Sequence, residues 1–438
     1  MPAPSFRPPQ LLLPRADLDL QRWSVIACDQ YTSDPGYWQQ VEQAVGDAPS
    51  ALRLIYPEVF LASADKPERI AAIQTAMRRY AASGLLRPHA GTVLVERTLA
   101  DGRVRRGLML ELDLEQYDYT PGSASAIRPT EGTIVERIAP RLEVRRDAEL
   151  ELPHILVLID DPARTVIEPL AAERDRLAPL YDTALMLGGG RVAGFAPDAA
   201  LQAQALAALQ ALGDADAFAA RHGLPAGTAP MLFAVGDGNH SLATAKANWA
   251  RLKSTAGPEH PARWALVEVE NIHDPAMEFA PIHRLLIGVT ADLRAALAAH
   301  FGTRVQIVEQ PDAAAMRAAL AAQPRSLHAA GLLQPGGRHA LVVVQGAPAA
   351  QLDVASFQGF VDALLAQGGA QEVDYVHGDE ALARLAAQPG HAGLHLATLG
   401  KSELIARVAQ HGPLPRKSFS MGEADEKRFY LEARRIRP

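Results

Sequence analysis

The chain has 438 residues, of which 48% are hydrophobic and 21% charged, a composition typical of a globular protein with two or three domains. Its formal net charge of −7 argues against a protein held on nucleic acid by charge alone. One cysteine, Cys28, excludes an intramolecular disulfide, and the lack of a secretory leader or of an apolar run near ~20 residues predicts a cytoplasmic protein.

The first hundred residues predict helices and strands in alternation. Residues 23–32 (WSVIACDQYT) form an apolar run that predicts a buried strand, and residues 35–45 and 66–86 predict helices with proline in the first turn. Residues 91–114 alternate in hydrophobicity on both sides of an Asp-Gly turn, which predicts a hairpin. Together these elements indicate an α/β (mixed α+β) fold.

A polar turn and a charged helix follow in IRPTEGTIVERIAPR. If the helix begins near Thr133, Arg137 and Arg141 lie four residues apart on one face and can meet the same phosphate or carboxylate. The alternative is a solvated face on which these arginines pair with the neighbouring glutamates. Glu131 lies in the polar loop, where surface ion pairing explains it less well.

The segment MLFAVGDGNHSLATAKANW, residues 231–249, predicts a buried strand that turns at once into a helix. Such a turn directs backbone N–H groups and the positive end of the helix dipole at an anion. The turn contains Gly236, Asp237, Gly238, Asn239, His240 and Ser241. The alternative is a tight turn with a capping serine, but a carboxylate and an imidazole beside an anion site suit metal binding or proton transfer.

The remainder predicts a buried strand entering a loop and then a second unit. The loop carries His273, Asp274, His283 and Arg284, which suit substrate binding or a purely structural role. From about residue 290 helices and strands alternate, so residues 1–289 are predicted as one domain and residues 290–400 as a smaller α/β unit. Residues 401–438 become basic and are predicted to return to the first domain.

Four motifs, TEGTIVERIAPR, FAVGDGNHSLATA, APIHRLL and LPRKSFS, resemble the family known as domain of unknown function 1015. That family's Asp-Gly-His-His-Arg box is itself similar to the box of the ParB/sulfiredoxin-like superfamily. The resemblance implies a ParB/sulfiredoxin-like core with a mixed sheet and flanking helices. It also implies phosphate contacts at Gly238, His240 and Ser241, with Asp237 near a metal or a reacting hydroxyl.

The resemblance extends to residues outside the turn. Glu131 matches the acid of a His-Glu pair, and Arg284 ends the Pro-x-His-Arg segment after His283. A basic segment near the C-terminus contributes Arg416, Lys417 and Ser418 as further substrate-binding candidates.

Three positions depart from the family pattern. Asn239 replaces a histidine, Ser241 replaces an arginine and Thr130 replaces the histidine before Glu131. Loss of the arginine removes a bidentate phosphate partner, which Arg137 or Lys417 would have to replace.

The hypothesis that follows is a cytoplasmic phosphotransferase or phosphate-ester-processing enzyme acting on a small polar metabolite. Phosphate binds at residues 236–241, with Thr133, Arg137 and Arg141 assisting; Glu131 or His240 accepts the proton, and Asp237 holds Mg²⁺. A nucleotide, ATP first, is the expected cofactor, and no motif indicates flavin, NAD, haem or structural zinc.

Two other function classes remain open. One is a nucleotide-gated binding or regulatory protein without turnover, which would bind nucleotide even after Glu131→Gln. The other is a metal-dependent hydrolase that uses His240, His273 and Asp274.

Overall fold

The computed structural model describes residues 5–324, 326–346, 352–415 and 417–438. The chain divides into two compact units, one formed by Met1–Glu278 with Gly422–Pro438 and the other by Phe279–Met421. These bounds differ from the predicted 289/290 and 400/401, because residues 279–287, for which the sequence predicts a loop, form a strand of the second unit. Within the described ranges no helix has the length and apolar character needed to cross a membrane.

The first unit contains a nine-stranded mixed sheet and two small strand pairs. Its strands before the second unit are β1 (Phe6–Arg7), β2 (Gln10–Pro14), β3 (Leu86–Ala90), β4 (Leu94–Thr98), β5 (Val104–Asp113), β6 (Ile127–Pro129), β7 (Leu150–Glu151), β8 (Leu156–Ile159), β9 (Ala178–Ala184), β10 (Arg191–Ala196), β11 (Phe233–Asp237) and β12 (Trp264–Asn271). The large sheet has the order β6-β11-β8-β12-β5-β4-β10-β9, and β1 pairs with β5.

Helices flank this sheet, as the α/β prediction requires. They are α1 (Leu20–Trp23), α2 (Pro35–Val45), α3 (Lys66–Ala82), α4 (Ile138–Arg145), α5 (Glu168–Ala172), α6 (Ala199–Leu212), α7 (Ala215–His222) and α8 (Asn239–Leu252). The predicted hairpin is confirmed as β4 and β5, which pair antiparallel across the Asp-Gly turn.

The second unit contains its own sheet, of order β14-β16-β15-β18-β13-β17 with β19 paired to β13. Its strands are β13 (Phe279–Ile287), β14 (Val305–Gln310), β15 (His328–Gln334), β16 (Arg338–Val344), β17 (Glu372–His377), β18 (His391–Leu396) and β19 (Phe419–Met421). Its helices are α9 (Leu293–Phe301), α10 (Ala313–Ala321), α11 (Asp353–Ala366), α12 (Asp379–Ala386) and α13 (Lys401–His411). The final strand, β20 (Arg434–Arg435), pairs with β7 in the first unit.

The strand predicted over residues 23–32 is wrong. Trp23 ends α1, and the following residues make only an isolated bridge between Ile26 and Phe429. The backbone is satisfied there by the C-terminal tail, since the Tyr430 amide donates to the Val25 carbonyl at 2.9 Å. The apolar run is therefore buried, as its composition indicates. It does not form a strand of a sheet, but pairs only briefly with the C-terminal tail.

The large sheet separates two apolar cores because side chains alternate across each strand. On β5, Leu108 and Leu110 belong to one core and Met109 to the other. The second face also buries charge: Glu268 of β12 pairs with Arg428 of the tail, and both are almost fully buried. The side chain of Glu268 fills the space above Gly107, where an added Cβ would lie 2.5 Å from Glu268 Cγ.

Gly107→Ala should therefore lower the free energy of unfolding of the first unit by about 1–3 kcal/mol, because the methyl group displaces a buried, ion-paired carboxylate. Gly257→Ala is the matched control, since an added Cβ there meets nothing within 4 Å. All four tryptophans lie in the first unit, so urea denaturation followed by tryptophan fluorescence measures the effect. Equal urea midpoints for the two variants would contradict this prediction, because they would show that the Glu268 side chain can move aside without cost.

Candidate functional site

The predicted turn between strand and helix is present where β11 meets α8. β11 ends at Asp237, Gly238 adopts φ +70°, and α8 begins at Asn239 without a side-chain cap. A Cβ at position 238 would lie 2.9 Å from Ile155 Cα. Glycine is required here for two reasons. The backbone is left-handed, and Ile155, the residue before β8, leaves no space for a side chain.

The amides of this turn define its anion-binding capacity. The Gly238 N–H donates to Asp237 Oδ1 at 3.0 Å, so this nitrogen is satisfied internally. Within the described residues, the N–H groups of Asn239 and Ser241 donate to no protein acceptor, and both residues are half-buried. They are first-turn amides of a 14-residue helix, where the helix dipole adds positive potential.

The loop carrying Glu131 lies directly beside this turn. β6 runs parallel to β11, and the Thr130 N–H donates to the Val235 carbonyl at 3.1 Å. Asn239 Nδ2 donates to the Glu131 carbonyl and to Thr133 Oγ1, both at 3.1 Å. Two segments more than a hundred residues apart in sequence therefore lie side by side.

The same contacts decide the conformation of the following segment. The Ile134 N–H donates to His240 Nε2 at 3.2 Å, which holds the chain outside a helix until a 3-10 turn at Val135–Arg137. α4 begins at Ile138, not near Thr133 as predicted. Because Nε2 accepts this bond, a neutral His240 carries its proton on Nδ1 and has no free lone pair for a substrate proton.

Lys427 is a site residue that the sequence analysis missed. Its Nζ lies 3.4 Å from Asp237 Oδ2, and its side chain is only 12% exposed. The one sequence signal was the basic tail predicted to return to the first domain, which singled out no particular lysine. Lys427 supplies a cation beside the turn, where Ser241 replaces the family's arginine.

A buried carboxylate on β12, Glu270, is influenced electrostatically by this pair. Burial raises its pKa to about 7; Arg105, with Nε 2.8 Å from Oε1, opposes the shift, and the charges of Asp274 and Asp237 add to it. Lys427 lowers the pKa. Glu270 is therefore a buried carboxyl group whose pKa responds to the charges of Asp237 and Lys427 at the turn.

His154 supports the turn from below, consistent with a structural role. Its Nδ1 accepts a hydrogen bond from the Tyr430 hydroxyl at 2.8 Å, and that hydroxyl accepts the Cys28 N–H at 3.0 Å. Asp29 Oδ2 lies 3.7 Å from His154 Nε2. Burial raises the pKa of the Cys28 thiol, so this cysteine is an uncharged core residue.

The two arginines predicted for phosphate binding have different surroundings. Arg141 pairs bidentately with Glu58, with Nε 2.7 Å from Oε1, and also donates to the Arg137 carbonyl at 2.7 Å. Its charge is therefore already neutralised. Arg137 is exposed, so its phosphate contact stays a prediction.

The predicted substrate-binding residues His283, Arg284, Lys417 and Ser418 belong to the second unit. His283 and Arg284 are fully buried on β13, and Arg284 donates to the Lys417 carbonyl at 2.9 Å. Ser418 Oγ donates to the Pro415 carbonyl at 2.5 Å. Arg416 lies outside the described residues, and the substrate-binding role of the set stays a prediction.

Three side chains of types that can bind a metal lie close together in the second unit, with one ligand atom of each within 4.8 Å of the others. They are His283, Asp379 and His395. The hydrogen bonds argue against a metal there. The Leu396 N–H donates to His283 Nδ1 at 3.1 Å, so the ring proton must sit on Nε2, which faces Asp379 at 3.2 Å. Metal-ligating histidines show the opposite pattern, with the distal nitrogen donating.

The metal-hydrolase alternative fails on sheet topology. β11 is antiparallel to β8 with Asp237 opposite Leu156, whereas β12 is parallel to β8 with Asn271 opposite Ile159. β11 and β12 therefore run in opposite directions. Their C-terminal ends, which lead to His240 and His273, lie on opposite sides of the sheet along the strand direction. His273 Nε2 instead contacts Asp160 Oδ1 at 2.6 Å.

Glu270→Gln should change how stability depends on pH. The folded carboxyl, with its raised pKa, keeps a proton that the unfolded chain has lost, so its contribution to stability is present below pH 4.5 and is lost as pH rises to about 7. Relative to wild type, the variant should thus gain stability from pH 4.5 to 7, as measured by urea denaturation.

Glu259→Gln, at an exposed position, controls for the loss of one carboxylate. Parallel pH profiles for wild type and Glu270→Gln would contradict the raised pKa, whatever the absolute stability of the variant.

The model of a family described as protein of unknown function (DUF1015) matches residues 11–359. No curated protein matches the chain. Similar solved structures include a conserved hypothetical protein from Pyrococcus furiosus, 10% identical, with 75% of this chain and 95% of that chain covered and a TM-score of 0.35. A free serine kinase in complex with AMP is 10% identical, with 74% and 92% covered and a TM-score of 0.36. SbnI with a C-terminal truncation from Staphylococcus aureus is 11% identical, with 72% and 82% covered and a TM-score of 0.34. Since the family model covers most of the sequence, the chain belongs to the DUF1015 family.

Proposed function

We propose that the protein is a cytoplasmic phosphoryl-transfer enzyme that moves a phosphoryl group from a nucleotide, ATP first, to a small polar metabolite. The observation that carries this proposal is the uncapped start of α8, where Gly238 and the acceptor-free amides of Asn239 and Ser241 lie beside Lys427 and the Glu131 loop. Anion donors and titratable groups converge there from three separate segments.

The phosphate charge is neutralised by backbone and by one lysine. The amides of Asn239 and Ser241 donate to phosphate oxygens, and the helix dipole favours the same charge. Lys427 supplies the side-chain cation, since Asp237 holds its ammonium at the turn through one 3.4 Å contact and not through the bidentate pairing that Arg141 makes. Arg141 has no part in this step because Glu58 occupies its guanidinium.

Glu131 is the proton acceptor in this proposal. The metabolite hydroxyl loses its proton to the Glu131 carboxylate as its oxygen bonds to the γ-phosphorus, and the bond from phosphorus to the bridging oxygen breaks, releasing nucleoside diphosphate. His240 is disfavoured for this role, since its Nε2 accepts the Ile134 amide. It serves instead to hold the Glu131 loop against the turn.

The predicted Mg²⁺ at Asp237 does not fit these contacts. Of its two carboxylate oxygens, one accepts the Gly238 N–H and the other faces the Lys427 ammonium. Mg²⁺ needs near-octahedral oxygen ligation, and Asp237 belongs to no described group of three metal-ligand side chains. No step is therefore assigned to a protein-bound metal.

The second candidate is a nucleotide-gated binding protein without turnover. It is favoured by the same amides together with the side chain of Asn239, which is bonded to Thr133 and the Glu131 carbonyl and so couples the loop to the turn. A ligand at the turn would stabilise that loop in place.

Glu131→Gln separates these two functions. If the enzyme proposal holds, turnover with ATP and a panel of hydroxyl-bearing metabolites should fall about 10²–10⁴-fold, because the general base is lost. The dissociation constant for ATP, measured by calorimetry, should change little. Glu136→Gln, exposed in the same segment, is the control and should keep full turnover.

Nucleotide binding by wild type with no turnover against any metabolite would instead identify the binding protein. Turnover of Glu131→Gln at the wild-type rate would exclude Glu131 as the base.

Lys427→Met should weaken tripolyphosphate binding about ten- to a hundredfold at 0.15 M salt, since a charge-assisted contact to phosphate is lost. Lys427→Arg should recover part of it. Lys253→Met, which removes an exposed lysine after the end of α8, is the matched control. Calorimetric titration measures all three, and wild-type affinity in Lys427→Met would remove this residue from the site.

A further inference from the structure

An aromatic stack lies in the N-terminal part of the first unit. The rings of Tyr31 and Tyr37 stack with centroids 3.7 Å apart and an interplanar angle of 10°. Behind them, Tyr37 meets the buried Trp38 edge-to-face at 5.8 Å. Tyr37 therefore lies between Trp38 and Tyr31, which makes Tyr31 the outer ring of the stack.

Tyr31 is held in an unfavourable backbone conformation. Its φ is +50°, in the left-handed region that aromatic residues rarely occupy. The surrounding chain fixes it, since the Gln30 carbonyl accepts Trp38 Nε1 and the Tyr31 carbonyl accepts the Asp34 N–H. Strain that persists in this way is concentrated at ligand sites, because the fold holds a side chain where local preference would not.

Two chains of contacts connect Tyr31 to the turn. Asp29 lies 3.7 Å from His154 Nε2, and an added Cβ at Gly238 would lie 3.3 Å from His154 Cδ2. Tyr31 follows Asp29 by two residues, so their Cα atoms are at most about 7 Å apart.

The second connection runs through the tail. The Arg428 carbonyl accepts the Ala27 N–H at 2.9 Å, and Ala27 lies four residues before Tyr31. The residue before Arg428 is Lys427, whose Nζ reaches Asp237 at the turn. The Asp425 carboxylate also raises the pKa of both tyrosines. The segment that carries Tyr31 is therefore connected to the turn at residues 236–241 from both directions.

We propose that Tyr31 is the platform on which the base of a nucleotide stacks while its phosphates bind at residues 236–241. The inference rests on the proposed function and adds the group that separates a nucleotide from other phosphate compounds. In this arrangement a planar base extends the existing stack by one ring, and the ribose and phosphates run from it towards the turn.

The test compares ATP with tripolyphosphate, which has the phosphates but no base. Tyr31→Gly removes the ring and suits the left-handed backbone, so it should fold; Tyr31→Asn is a second variant that tolerates the same φ. Both should bind ATP about 5- to 150-fold more weakly than wild type, the range expected for loss of one base stack. Tyr31→Phe keeps the ring and should bind ATP as wild type does.

Binding of tripolyphosphate should be unchanged in all three variants. If wild type binds ATP and tripolyphosphate equally well, or if Tyr31→Gly and Tyr31→Asn keep full ATP affinity, the platform is wrong and the proposed function stands. If wild type binds neither compound, the proposed function and the platform both fall.

Discussion

Burial of charge on one face of the large sheet constrains the rest of the first unit. Glu268 is almost completely removed from water, and Arg428 of the tail neutralises it while also binding Glu432. Loss of one partner from such a pair costs about 3–5 kcal/mol, because the other charge is left buried. The tail is thus held in one register, and the next residue back, Lys427, is placed beside Asp237.

The candidate site depends on this arrangement more than on local sequence. Strand β11 and helix α8 supply the turn, but Lys427 and Glu131 arrive from the tail and from the loop after β6. Hydrogen bonds of Asn239 to that loop and the ion pair of Lys427 join the three segments. Each segment alone would be an ordinary turn, loop or tail.

Local pattern was sufficient for the elements that depend on near neighbours. Helix α2 begins at Pro35 as predicted, and the hairpin of β4 and β5 follows from alternation around its turn. The strand, glycine turn and helix at 233–252 could also be predicted, because the glycines and the alanine-rich helix are contiguous. Lys427 and the pairing of Ile26 with Phe429 could not, since both join residues hundreds of positions apart. The pairing of Arg141 with Glu58 could not be predicted for the same reason, because Glu58 is distant in sequence.

The order of the chain has a consequence for biosynthesis. Residues 1–278 contain the whole large sheet, yet the arginine partners of the buried carboxylates Glu268 and Glu151 include Arg428 and Arg434 from Gly422–Pro438. As the ribosome extends the polypeptide, the second unit can fold while the first still lacks its counter-ions. The first unit is therefore complete only after the tail has been made, and a nascent chain that stops before the tail leaves Glu268 without the arginine that pairs with it.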